Sequence, residues 1–381
     1  MNRISAIDFT RGLVMIIMAL DHARDLLHTT SLSEDPTNMQ TTTAVLFITR
    51  WITHLCAPTF VFLSGTSAYL IFKRDNNPSV TRRFLLSRGL WLLVLEYTLI
   101  NFALWSDIHF RMLLMEVISV IGIGFIVLSF LIRVPARFLG AAGLLIIFAH
   151  PLLQGPALSF VFSVLFRPGL FALTPDFTFI VGYPAVPWLG ILLTGFACGQ
   201  LFEMPVEIRN KILVRTGLAA LALFIILRFL NGYGDPAPWM AQQTKLFSVL
   251  SFMNVTKYPP SLLFVLLFLG IMMVILSQSG KIKIRVLEIV SVFGKVALFY
   301  FIVHLFIIRL LLFIMLYLQG FGPEDWQFGV LLNGRPASGS GVELGMIYLI
   351  WLGVVLSLYP LCKWYGSYKA AHKDNRLLRY I

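Results

Sequence analysis

Charged side chains are scarce in this sequence, at 13% of 381 residues, where a soluble globular domain carries about a quarter. With 58% of the chain drawn from AVILMFWYC, that scarcity excludes a soluble enzyme and a disordered chain. Cysteine is scarcer still. Cys56, Cys198 and Cys362 stand far apart in apolar sequence with no CxxC pair, which excludes a disulfide scaffold and a zinc site. No metal is expected. Acidic residues are also few, with Asp+Glu 18 against Lys+Arg 30 and a net charge of +12. In so apolar a chain, basic residues orient helices in a bilayer rather than bind nucleic acid. The sequence therefore belongs to an integral membrane protein.

The first apolar run is not a cleavable leader. Asp8 and Arg11 interrupt its start, and Asp21, His22, Arg24 and Asp25 close it with no small-residue cleavage box. It is kept as a mature helix.

A spanning helix needs about 20 mostly apolar residues. Ten windows meet that need: 8–28, 44–72, 84–105, 111–131, 137–153, 183–203, 212–231, 258–278, 289–318 and 341–362. The expectation is an all-α, polytopic protein with about ten transmembrane helices. With the N-terminus cytoplasmic, 20 of the 30 basic residues fall in inside segments and nine at outside ends and loops. That split supports ten spans with both termini cytoplasmic. The longer connections, 29–43, 154–182, 232–257 and 319–340, then lie outside and suit folded caps. No linker or repeat divides the chain, so 1–381 reads as one transmembrane domain in contact with membrane lipids. The sequence leaves the oligomeric state open, a homodimer included.

Ionisable residues at membrane depth are functional candidates, and the first helix holds most of them. Asp8, Arg11, Met15, Met18, His22 and Asp25 recur at spacings 3-4-3-4-3 and so share one helical stripe. Asp8–Arg11 is also readable as a structural ion pair. The second helix carries His54, one turn before Pro58, at a depth similar to His22. His304 lies four residues after Tyr300 in the ninth and needs a partner or a water-filled cavity. Glu96 reads as part of an interhelical hydrogen-bond network. Sorted by depth, Asp21, His22, Asp25, His54 and Glu116 are outer, with His304 below them, while Arg3, Asp8 and Arg11 mark the inner mouth. A His beside carboxylates can act as acid or base.

Five motifs in order carry a resemblance. They are Arg3-x-x-x-Ile7-Asp8-x-x-Arg11-Gly12, Thr53-His54-x-x-Ala57-Pro58-Thr59-Phe60-Val61-Phe62-Leu63-Ser64-Gly65, Tyr183-Pro184-Ala185-Val186-Pro187-Trp188-Leu189-Gly190, Lys257-Tyr258-Pro259-Pro260-Ser261 and Phe293-Gly294-Lys295 through His304. Together they resemble the bacterial branch of the heparan-α-glucosaminide N-acetyltransferase catalytic-domain family, within the transmembrane acyltransferase superfamily. The first motif is also similar to the acyltransferase-3 family. The resemblance implies acyl transfer from cytoplasmic acetyl-CoA, or another acyl-CoA, to an amino sugar or related glycan across the cell inner membrane. It also implies a catalytic His near the non-cytoplasmic side. The place that matches it, anchored on Pro58, falls near Ala44, where no His stands; His22 and His54 lie at similar depth.

On this reading Arg3, Asp8, Arg11 and Lys295 form the donor-binding mouth. His54 or His22 acts as the base, with Asp21 or Asp25 holding the imidazole in its tautomer and His304 below. Covalent acyl-His and direct transfer both fit, as do amine and hydroxyl acceptors. The rival reading is a proton-coupled transporter or flippase of an envelope precursor that uses the same buried residues.

Overall fold

The computed structural model describes residues 5–380 apart from 154–158, 330–331, 338, 373, 376–377 and 379. The chain is mostly helical (71%). α1 (Ser5–Leu27) runs through the middle of the bundle and packs along α13 (Ile284–Lys295), with α14 (Ala297–Leu318), α15 (Leu344–Ala371) and α3 (Cys56–Asp75) around it. α2 (Ala44–Thr53) leads into α3. α4 (Pro78–Leu95) continues through a π turn (Glu96–Ile100) into α5 (Asn101–Trp105) and pairs with α6 (Val117–Leu131). α9 (Ala185–Cys198) lies between α3 and α7 (Ala136–Ala149), and α10 (Val206–Leu230) pairs with α12 (Leu262–Gln278). Short α8 (Phe160–Phe166) and α11 (Lys245–Met253) sit in the connections.

Six helical segments are long and apolar enough to cross a membrane: Ala44–Asp75, Pro78–Trp105, Ala185–Glu203, Val206–Leu230, Ala297–Leu318 and Leu344–Ala371. Each of the ten windows read from the sequence contains helix. α1, with five charged residues, and the shorter α6, α7 and α12 are not among the six. Phe229, Leu349 and Leu356 are each more than 60% exposed on the flanks of α10 and α15. A side surface so apolar suits a lipid solvent, and the chain is a multi-pass membrane protein.

The structure corrects the all-helical expectation. β1 (Met112–Met115), β2 (Gly169–Thr174) and β3 (Phe177–Val181) form a sheet in the order β1-β3-β2. β2 and β3 are an antiparallel hairpin turned at Pro175–Asp176, and β1 pairs parallel to β3 from Met112↔Thr178 to Met115↔Val181. The Thr-Pro-Asp-Phe turn and alternating Phe171, Phe177 and Phe179 are hairpin signals that sheer apolarity hides. In consequence the fourth helix starts at Val117 rather than near 111.

Two other windows break. Helix 44–72 is interrupted at His54–Leu55, because Pro58 has no N–H to return to the His54 carbonyl. The ninth splits at Val296 (φ −129°, ψ 39°) into α13 and α14. The break follows a backbone crossing. A Cβ on Gly294 would sit 1.9 Å from the Asp8 carbonyl oxygen, and one on Gly12 would sit 2.0 Å from that of Val290. Only glycines let α1 and α13 approach this closely.

Candidate active site

The stripe on α1 becomes the wall of two cavities. The first encloses about 360 Å³ between α1, α3, α4, α6 and α14. Arg11, Met15 and Met18 line it from α1, Ser64 and Ser67 from α3, and Ile118, Ile121 and Phe125 from α6. Four cations gather on it: Arg11, Arg88 of α4, Lys295 and Lys369 of α15. Arg11 Nη2 donates to Ser67 Oγ at 2.8 Å, and that hydroxyl donates to the Leu63 carbonyl at 2.7 Å, which holds the guanidinium against α3. Lys295 closes the last turn of α13, where terminal carbonyls favour a cation. The cavity is apolar along its length and cationic in part, a shape that fits a long ligand with an anionic head.

The second cavity, about 330 Å³, lies toward the C-terminal end of α1. Asp21, His22 and Asp25 face it from α1, Cys56 from α3, and Leu114 and Glu116 from β1 and the residue that follows it. Tyr183, Lys257, Tyr258 and Asn333 also line it. Met18, Phe60, Val117 and Phe301 border both cavities, so one layer of apolar side chains separates them.

The carboxylates of α1 are held by arginines. Arg50 Nη1 donates to both oxygens of Asp21, at 2.6 and 2.5 Å, and Arg24 Nη2 donates to Asp21 at 3.1 Å and to Asp25 at 2.5 Å. The cluster closes on itself. The expectation that Asp21 or Asp25 holds an imidazole is therefore not what the geometry displays, since their oxygens accept from guanidiniums. His22 makes no hydrogen bond among the described residues; its ring neighbours are His304, 5.2 Å between centroids, and Phe301 at 6.1 Å.

His54 does not line either cavity. Its ring is wedged against the edges of Phe264 and Phe268, at 5.8 and 5.7 Å, and its Nδ1 is buried without a partner among the described residues. The ring stands at the helix break His54–Leu55 and faces α12. His304 is fully buried, stacked on Tyr300, with Nδ1 bonded to the Tyr300 carbonyl at 2.8 Å and Nε2 unpartnered among the described residues. Arg3 lies outside the described residues. Asp8 is buried beside Gly294 and is not on the first cavity's wall. Glu96 was read as a network member, and its buried carboxylate lies against the backbone of Glu116, Ile118 and Ser119 at the start of α6. Asn101 extends the network, donating to the Glu96 and Leu114 carbonyls and accepting from Leu114 N and Trp105 Nε1.

Arg88 and Lys369 on the first cavity, and Arg50, entered the sequence reading only among the basic residues that orient the helices. Lys257 was noted only as part of a motif. No group of three His, Cys, Asp or Glu residues among the described residues could hold a metal.

A multi-pass helical protein with adjoining cavities, one cationic and one rich in acid/base groups, defines a membrane protein with room for two ligands. Residues 3–231 match the family described as Heparan-alpha-glucosaminide N-acetyltransferase, catalytic. That is more than half of the chain, and the chain belongs to this family of membrane acyltransferases. Three of the five motifs fall inside the matched range; those at Lys257 and Phe293 lie beyond it. No curated protein matches the chain.

Proposed function

We propose that the protein moves an acetyl or other acyl group from acyl-CoA, bound in the Arg11 cavity, to an amino-sugar or related glycan acceptor in the His22 cavity. The observation that carries this reading is the shared wall. Met18, Phe60, Val117 and Phe301 border both cavities, so a thioester at the end of one ligand meets a nucleophile on the other. Arg11, Arg88, Lys295 and Lys369 receive the donor's phosphates, where charge-assisted hydrogen bonds are strong. The pantetheine arm lies along Met15 and Met18. The reading puts the protein in the cell inner membrane with both termini and the donor cavity on the cytoplasmic side, and the acceptor outside.

His22 is the base on this reading, because it faces the acceptor cavity and His54 does not. It takes the proton from the acceptor's amine or hydroxyl as that atom attacks the thioester carbonyl. The C–S bond then breaks and the CoA thiolate leaves, recovering the proton from the imidazolium. Attack by His22 itself, followed by acceptor attack on the acyl-imidazole, uses the same residues.

The test is thioester consumption by the detergent-solubilised protein, given acetyl-CoA with and without glucosamine. Acceptor-stimulated CoA release that falls about 10²-fold or more in His22→Ala is expected. Wild-type protein that neither binds nor cleaves acetyl-CoA or longer acyl-CoAs would overturn the reading and favour the proton-coupled carrier.

A further inference from the structure

The turn at 332–335 brings a carboxamide to the His22 cavity from the connection between α14 and α15. Asn333 lines that cavity with a backbone φ of +57°, a left-handed conformation that asparagine adopts far more readily than most side chains. Two buried guanidiniums fix the turn. Arg309 of α14, 3% exposed, donates from Nη1 to the Asn333 carbonyl and from Nε to that of Ala103 at 3.2 Å. Arg335, 1% exposed, donates from Nη1 to the Leu26 and His28 carbonyls, at 3.3 and 3.0 Å, and to Ser31 Oγ at 2.8 Å. Those carbonyls stand at the C-terminal end of α1, starting one turn after His22. Arg335 also donates to Ser340, from Nε to Oγ at 3.1 Å and from Nη2 to the carbonyl at 2.6 Å. The turn is thus tied both to α14 and to the helix that carries His22. Its backbone is engaged but its side chain is not. Asn333 Oδ1 is buried and accepts from no partner among the described residues. Asparagine in a left-handed turn commonly bonds its own backbone; here the oxygen is left for something else, and burying it unpaired is costly.

We infer that Asn333 binds the acceptor, with Oδ1 accepting an N–H or O–H from it. The carboxamide carries two donors as well, so it reads an amine or hydroxyl and a neighbouring oxygen together, as a polyol or amino sugar presents them. This rests on the acyl-transfer reading above and adds a neutral recognition group to it, while His22 handles the proton. Because Arg309 and Arg335 hold the turn, the carboxamide is set before the acceptor arrives, and little ordering is lost on binding.

The experiment uses Asn333→Gly in the full chain, because glycine keeps the left-handed backbone and removes the carboxamide. With acetyl-CoA and glucosamine, the acceptor KM should rise about tenfold, while the acetyl-CoA KM and the Tm stay unchanged. Asn333→Asp tolerates the same backbone and keeps an accepting oxygen, and it should recover most of the loss. An unchanged acceptor KM in Asn333→Gly, or a loss that Asn333→Asp does not recover, overturns the inference while leaving acyl transfer intact. An equal rise in the acetyl-CoA KM would mark a disturbed turn and overturn it too. A direct readout keeps the two readings apart. If glucosamine does not stimulate CoA release by the wild type, acyl transfer to it fails, and a glucosamine-dependent rise in Tm that Asn333→Gly lacks would still support the contact. A rise of equal size in both proteins, or none in the wild type, would overturn it.

Discussion

The imidazoles of His22 and His304 lie 5.2 Å apart, centroid to centroid, at 53° to one another. A carbonyl only accepts, so the bond from His304 Nδ1 to the Tyr300 oxygen fixes the proton on Nδ1 and leaves Nε2 as an acceptor. His22, whose neighbouring carboxylates are held by arginines, thus has a second imidazole as its ring neighbour. His304→Phe keeps the ring packing on Tyr300 and Phe301 and removes Nε2. It should lower kcat about tenfold or more with the acyl-CoA KM little changed, and shift the acid limb of the pH–rate profile. Unchanged kcat and pH profile would limit His304 to packing.

His54 and His22 should separate cleanly. His54→Phe extends the aromatic cluster of Phe264 and Phe268 and removes a buried nitrogen without a partner. Retained turnover and an unchanged or higher Tm are expected, since leaving a buried polar atom unsatisfied costs about 1–3 kcal/mol. A His54→Phe enzyme as inactive as His22→Ala would return the base to α2.

Asp21 is buried and Arg50 largely so, at 12% and 13% side-chain exposure. Arg50→Gln leaves Asp21 with Arg24 as its one guanidinium partner and should cost about 1–3 kcal/mol of stability. Asp21→Asn combined with Arg50→Gln should recover part of that loss. The check is the thermal unfolding of the single and double variants in one detergent. Additive losses would mean the pair is not coupled.

Gly294→Ala forces a Cβ to within 1.9 Å of the Asp8 carbonyl unless α13 moves. Overpacking of this kind costs about 1–3 kcal/mol. Because the same crossing places Arg11 and Lys295 on one cavity, the variant should also bind CoA more weakly, seen as a smaller CoA-dependent rise in Tm. An alanine that leaves both quantities unchanged would show that the crossing has slack.

The heptad-like spacing of α1 was the most legible feature of the chain. Arg11, Met15 and Met18 do line one cavity, and Met18, His22 and Asp25 the other, because a helix converts spacing into direction without help from its neighbours. The sheet was hidden because its strands are embedded in a sequence apolar everywhere, where period gives little contrast. Lys257, Arg88 and Lys369 were hidden for a different reason. Their place on a cavity depends on which helices pack together, and local sequence carries no trace of that. His54 is a finer case, since at the break His54–Leu55 its ring packs on Phe264 and Phe268 of α12.

The layer formed by Met18, Phe60, Val117 and Phe301 has a consequence for the membrane itself. If the two substrates approach from opposite faces, as proposed above, the empty enzyme is a ready-made leak. Thioether, aromatic and aliphatic side chains shed water from a narrow passage, and a dry constriction excludes hydrated ions. On the proposed reading, the same four residues that let an acyl chain reach its acceptor also form the seal that keeps protons from following it.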